Sequence, residues 1–372
     1  MNQHYFFCPN PTCPYSRQLH FDCRWYKKDG FHHTKAFGPV QRYRCRHCRK
    51  TFSDQTFSLN YYLKRKTDFS RLLDQLISSN SDCFIARQNH LSFESVRIRR
   101  DRMARNALFL QSAVMEGVKI TEPLAADGFE SYTASKYYPV NINILMGTDS
   151  RFLYYFTESH SRRKGAVTER QKKRMVYEYR GKDFSRCTVS RQFETLMDYL
   201  TDRCEAGRAV LRTDEHPAYR SVLKRLSGRA GFPSLVHLQT SSKERRDANN
   251  PLASVNYMDM LFRKDLPNHR RKTICYARND RNMLARVALY MVTHNFFKPR
   301  VITDKAEQCT ERHYGDLGIS QQKLLFWKAL FTSKRFFLSK AQLPEYFLKV
   351  WKRQTETPFG ENWYPLPAFA LL

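Results

Sequence analysis

Two aspartates and four cysteines are the residues whose types and spacing best suit chemistry. The segment Ala209-Val-Leu-Arg-Thr-Asp214-Glu215-His-Pro217 begins as an apolar run and ends in an acid. It reads as a buried strand, a turn, and a helix entered at Pro217. Upstream, Pro123-Leu-Ala-Ala-Asp127-Gly-Phe-Glu130 has a similar layout, a short apolar strand ending in an acid. An acid at the end of a central strand can point its carboxylate into a crevice above a sheet. Phosphodiester chemistry uses such carboxylates to clamp two divalent cations about 3.5–4 Å apart. The simpler alternative for Asp214 is a cap for the helix that follows.

Of the 10 cysteines, four form two close pairs, Cys8-Pro-Asn-Pro-Thr-Cys13 and Cys45-Arg-His-Cys48. Each pair places two thiolates on a tight turn, and four thiolates satisfy tetrahedral Zn²⁺. Aromatic residues between the pairs suit short strands, so the pattern predicts a zinc ribbon whose metal supplies much of its folding energy. Cys23, His32, His33 and His47 remain as substitute ligands. Arg44, Arg46 and Arg49 surround the second pair and predict contacts to a DNA backbone. The start of the chain lacks the layout of a signal peptide. A reducing compartment and metal ligation are therefore expected, not a disulfide framework.

Charge narrows the partner. Lys and Arg outnumber Asp and Glu 64 to 35, a formal net charge of +29. The bases cluster in runs interleaved with Tyr and Phe, which favours nucleic acid as a polyanionic partner. No apolar run approaches the ~20 residues of a bilayer span, so a membrane is not expected. The expected location is the cytoplasm, in association with the nucleoid.

The elements that must position these groups follow from periodicity. Leu72, Leu73, Leu76 and Ile77 share one helical face. The stretch from Asp82 to Ile98 resembles a helix-turn-helix, with Ala86 at the close approach, Leu91 in the turn, Ser92 as N-cap and Val96 buried. The helix after Ser92 is then the reading helix, offering Arg97, Arg99, Arg100 and Arg102 to DNA. Tyr138–Met146 and Phe152–Phe156 read as strands, and Ser190–Cys204 as a helix. A basic stretch between them carries Arg162, Arg163, Lys164, Lys172, Lys173 and Arg174, placed to hold a DNA backbone beside the acids.

The resulting order is strand, strand, strand, helix, strand, helix, with acids on the first and fourth strands. It resembles the RNase H-like fold of DDE transposases and integrases. The Cys-x-x-Cys before a basic Thr51-Phe52, the Asp127-Gly-Phe-Glu-Ser131 strand, the Thr213-Asp-Glu-His-Pro217 turn and the run from Arg270 to Arg278 sharpen the likeness. Over about residues 5 to 300 the chain resembles a bacterial insertion-sequence transposase with a zinc ribbon, a helix-turn-helix and a DDE domain. That resemblance implies cutting and joining of double-stranded DNA, element ends and target, with two Mg²⁺ ions, by a homodimer or larger assembly on DNA. It implies a third acid on a later helix, where Asn256-Tyr-Met-Asp259 precedes Arg263. The family has Glu where Asp259 stands, which makes the triad Asp127, Asp214 and Asp259. Asp265 and Asn256 remain rivals, and Glu130 and Glu215 are read as flanking groups.

The expected fold class is multidomain α+β. It comprises a zinc ribbon over residues 1–60, a helix-turn-helix over 61–112, an RNase H-like α/β catalytic domain over 113–300 and a C-terminal helical extension over 301–372. In that extension Gln321–Leu330, Phe336–Leu338 and Leu343–Trp351 are expected as amphipathic helices. The alternative function is a regulator derived from such an enzyme that binds DNA without cutting it.

Overall fold

The computed structural model describes residues 6–17, 23–300, 312–361 and 365–371. Cys309 and the start of the expected C-terminal extension lie outside the described residues. The N-terminal part is a three-stranded antiparallel sheet of β1 (Tyr26–Thr34), β2 (Gly38–Cys45) and β3 (Thr51–Ser53). Its core is aromatic. Trp25 stacks on Phe52 at 5.4 Å and Phe6 lies 5.0 Å from Phe57, ring centre to ring centre.

Helices α1 (Phe69–Leu76), α2 (Asp82–Gln88) and α3 (Phe93–Val114) follow. Each is N-capped by a side-chain oxygen, from Asp68, Ser81 and Ser92 respectively. Such caps satisfy amide donors that the helix itself leaves unpaired. Ala86 and Val96 are buried, and Leu91 packs against the core, as the turn requires.

The arginines of α3 correct the sequence reading. Arg99, Arg100 and Arg102 are 3%, 1% and 6% exposed, so they face the interior and not a DNA groove. Arg99 donates to Thr67 Oγ1 at 2.6 Å, and Arg102 donates to the carbonyls of Leu59 and Tyr61. Arg100 donates to Asp82 and, at 2.6 Å, to Asn282 Oδ1. Arg286 adds a 2.5 Å contact to Asp82 and donates to the Leu76 carbonyl at 2.7 Å. Burial opposes ionisation of Asp82, but the Arg100 and Arg286 guanidiniums beside it hold its carboxyl below the usual range. α3 also runs through residue 112 without a break, so that boundary falls inside a helix.

The second sheet has five strands in the order β6-β5-β4-β7-β8. They are β4 (Leu124–Tyr132), β5 (Pro139–Gly147), β6 (Leu153–His160), β7 (Arg208–Asp214) and β8 (Ser234–Thr240). β5 is antiparallel to β4 and β6, whereas β7 runs parallel to β4 and β8. The β5–β6 turn wraps the Glu122 carboxylate, which accepts from the Asp149 and Ser150 amides at 3.1 and 2.9 Å. Gly147 permits this, because a Cβ there would lie 2.1 Å from Glu122 Oε1.

Helix α4 (Glu169–Tyr179) buries no residue. α5 (Val189–Asp198) packs on one sheet face, where Thr157 Oγ1 donates to the Gln192 carbonyl at 3.0 Å. α6 (Pro217–Leu226) follows β7. α7 (Ala253–Asp265) packs on the other face, its Phe262 ring 5.4 Å from Phe129. α8 (Asp280–Val292) lies along α3 and ends in a π-turn at Thr293–Phe297. Widening that turn frees Asn295, which bonds both backbone groups of Leu153 at 2.9 Å.

The C-terminal part contains α9 (Gln321–Leu330) and α10 (Glu345–Lys352). Phe336 and Phe337 are extended instead of helical, with a short 3₁₀ turn at Leu338–Lys340. That conformation lets the segment bond to three neighbours. The Arg335 amide donates to Phe57 O at 2.8 Å, Phe337 packs 4.7 Å from Phe7, and Asn106 of α3 bonds the Phe331 and Lys334 carbonyls.

Candidate active site and metal centres

The cysteines come together as their spacing requires. Cys8 and Cys48 Sγ atoms are 3.3 Å apart, Cys13 and Cys45 are 3.8 Å apart, and all four lie within 4.8 Å of one another. A tetrahedron with Zn–S bonds of ~2.3 Å has edges of about 3.8 Å. The first knuckle is closed by the Cys8 amide donating to Tyr15 O at 2.9 Å, and the second by the Cys45 amide donating to Lys50 O at 2.9 Å. Arg49 takes the left-handed conformation at φ 62° that this turn requires. Burial pushes the Cys8 and Cys13 thiols up. At Cys48 burial is outweighed by donors from Lys50 and Cys8, and the thiol falls to about 7. This buried donor set suits one Zn²⁺. Of the substitutes, His47 places Nδ1 3.8 Å from Cys13 Sγ, whereas Cys23 is exposed and outside the cluster.

The aspartates lie close enough to feel one another's charge, though not quite as the strands suggest. Asp127 lies inside β4, paired with Ile144, and not at its end. Parallel pairing between β4 and β7 stops at Ala125 and Arg212, however, so the two strands part just before Asp127. Asp214 is the last residue of β7. Asp259 enters from α7, which packs on the same sheet face as Phe129 two residues beyond Asp127.

Electrostatics link the three. Burial pushes the Asp127 carboxyl up to about 6, helped by repulsion from Asp214. Burial and then Asp127 push the Asp259 carboxyl up to about 7, against the pull of Arg263 and Arg246. Tyr219 of α6 is driven well above its ordinary range by burial and by all three aspartates. Hydrogen bonding to the acids is sparse. Asp127 Oδ1 accepts from the Gly128 amide at 2.7 Å and Asp214 Oδ1 from the His216 amide at 2.9 Å. Asp259 Oδ1 is buried with no hydrogen-bond partner. An orphaned carboxylate oxygen among mutually repelling acids fits a cation.

The trio is wider than the cysteine site. Among the described residues it is not one of the sets whose donor atoms all fall within 4.8 Å of one another. Asp127 is the shared member, coupled both to Asp214 and to Asp259. The rivals are placed elsewhere. Asp265 bonds Lys298 Nζ at 2.7 Å and the Tyr290 hydroxyl at 2.5 Å, while Glu130 and Glu215 are exposed. Alternation along β4 turns Glu130 to the face opposite Asp127.

The other basic residues divide by exposure. Arg44 shares Asp29 with Arg42, Arg97 pairs with Glu94, and Arg46 and Arg49 are exposed. Arg162, Arg163 and Lys164 line a cavity of about 450 Å³ with Lys136, Asn141 and Arg271. On α4, Lys172 and Arg174 make surface pairs with Glu169 and Glu178, Arg174 also lies over the Tyr177 ring, and Lys173 is exposed. Sequence reasoning missed Arg246 and Tyr219 as members of the crevice. The basic run Lys243-Glu-Arg-Arg246 was the available signal for the first. No protein-family model and no curated protein matches the chain.

Proposed function

We propose that the chain is a DNA strand transferase of the DDE transposase kind, which binds element ends and cuts and joins DNA with Mg²⁺. The observation that carries this is the crevice itself. Acids from β4, the end of β7 and α7 repel one another there, and one buried carboxylate oxygen has no partner. The strand order, in which only β5 runs against the others, supports an RNase H-like reading of the sheet.

Divalent ions held here would lower the pKa of an attacking water or 3′-hydroxyl and neutralise charge at the leaving oxygen. Asp127, Asp214 and Asp259 are the residues that would hold them. Asp127 stands between the other two, so its loss disrupts the whole set. Arg246 and Arg263 keep Asp259 from accumulating uncompensated charge and add positive potential for an incoming phosphate. Exposed bases on the ribbon, around the Arg162 cavity and on α4 hold the duplex backbone, which positions the scissile phosphate.

The width of the acid set favours a second reading, a zinc-stabilised DNA-binding regulator without strand chemistry. Cleavage separates them. Labelled DNA carrying the sequences that flank the coding region is incubated with the full chain and Mg²⁺. The transferase reading expects nicked and joined products, abolished by Asp214→Asn. Cleavage that persists in Asp214→Asn overturns the assignment, and DNA bound but never cut supports the regulator.

A further inference from the structure

We infer that Glu158, His160 and Asp280 form a second metal site, for a divalent first-row transition ion of the Zn²⁺ type. Glu158 and His160 are two apart on β6 and therefore share a face. Asp280 is the first residue of α8, after the Asn279 N-cap. Their donor atoms all lie within 4.8 Å of one another, and His160 Nε2 is 3.7 Å from Asp280 Oδ1.

Their isolation from water is what demands a ligand. The three residues are 1%, 3% and 3% exposed. Both His160 ring nitrogens and Asp280 Oδ1 are buried without a hydrogen-bond partner, and the Glu158 carboxylate has only the imperfectly aligned Tyr346 and Thr355 hydroxyls beside it. Buried polar atoms are normally paired, and an orphan destabilises the fold. One donor atom from each of the three residues converges on the same place. A divalent cation bound there would satisfy those three and cancel the charge of two carboxylates.

Chemistry selects the ion. Two carboxylates and one imidazole suit Zn²⁺ or Mn²⁺ better than Mg²⁺ or Ca²⁺, which prefer all-oxygen sets. The site is distinct from the aspartate crevice. Phe129 pairs with Ile142 and Ile142 with Glu158, so it stands on the same face as Asp127 but two strands away. The Glu158 amide donates to the Tyr346 hydroxyl at 3.1 Å, so α10 covers this edge. The bound ion would pin the edge strand β6 to the start of α8.

The test counts metal in the full chain. Protein is loaded with Zn²⁺, dialysed against metal-free buffer and analysed for zinc, and then reloaded with Co²⁺ for absorption spectra. The expected content is about two zinc ions per chain, falling to about one in Glu158→Gln and in His160→Gln. Weakly held Mg²⁺-type sites do not survive the dialysis. The expected Co²⁺ spectrum has thiolate charge transfer from one equivalent only, the second giving weak visible bands. The spectrum of the wild-type chain remains decisive if either variant fails to fold. One zinc ion per wild-type chain, thiolate charge transfer from both cobalt equivalents, or folded variants that keep both zinc ions would overturn the proposal.

Discussion

The four-cysteine cluster and the aspartate crevice both gather groups that gain from a cation, but the chain assembles them differently. The cysteines sit on two tight knuckles whose backbone hydrogen bonds preset each pair, and their sulfurs already approach tetrahedral spacing. The aspartates arrive on two strands and a helix packed on the sheet, and stay further apart. A small ribbon cannot hold itself together without its metal, whereas a large α/β core can hold repelling carboxylates in place unaided. On the proposed function, one site would use the ion to fold, and the other would use the fold to place ions.

The largest expected effect follows from that difference. Zinc removal, or Cys45→Ser, should cost the ribbon on the order of 10 kcal/mol and abolish hydrogen-exchange protection of β2 and β3. Protection in β4 and β5 should persist. Loss of protection throughout both sheets would show that the two regions are not separate in this way.

Next in size is the buried ion cluster that joins α2, α3 and α8. Arg100→Ala leaves Asp82 with one partner in place of two, and should cost about 3–5 kcal/mol in denaturant unfolding. A surface arginine replaced by alanine, such as Arg46→Ala, should change stability by less than about 0.5 kcal/mol and weaken DNA binding instead. Equal stability of the two variants would break the inward assignment of α3.

The crevice makes a pH prediction. Asp259 holds its proton up to about 7 in the folded chain, against 3.8 ordinarily. The folded state thus binds more protons than the unfolded state between those values, so stability contributed by this group falls as pH rises from about 4 to about 7. Without divalent ions, Asp259→Asn should be more stable than the native chain at pH 8, by on the order of 3 kcal/mol, with little difference at pH 4. Added Mg²⁺ should shrink the gap by stabilising only the native chain. A native chain whose stability is flat across this range would remove the argument for strained carboxylates.

The smallest effect concerns the exposed bases. Replacing Lys172, Lys173 and Arg174 together by alanine should weaken duplex binding and lower the magnitude of the log–log salt slope by about 2–3. An unchanged slope would take α4 off the DNA path.

Legibility in the sequence tracks how local each feature is. The cysteine pairs are close in the chain, so their spacing announces the cluster. Asp214 is legible from an apolar run ending in an acid, and Asp127 nearly so. The break in pairing between β4 and β7 that opens the crevice depends on two distant strands. β8 escapes notice because it is an edge strand, with Val236 57% and Leu238 43% exposed, and lacks a clean alternation. Arg99, Arg100 and Arg102 were misread because arginine density resembles a solvated face. Their partners, Thr67, Leu59, Asp82 and Asn282, lie one to several elements away. Glu158 and His160 look like the polar end of a strand until α8 and α10 bury them.

If Asp127, Asp214 and Asp259 jointly hold divalent ions, the zinc-loaded chain will bind Mn²⁺ through them. Electron paramagnetic resonance should show Mn²⁺ taken up by the native chain, with spin coupling between neighbouring ions at saturation. Asp127→Asn, which removes the shared ligand, should lose that coupled signal and bind Mn²⁺ at least ten-fold more weakly. Uptake by Asp127→Asn equal to that of the native chain would contradict the account.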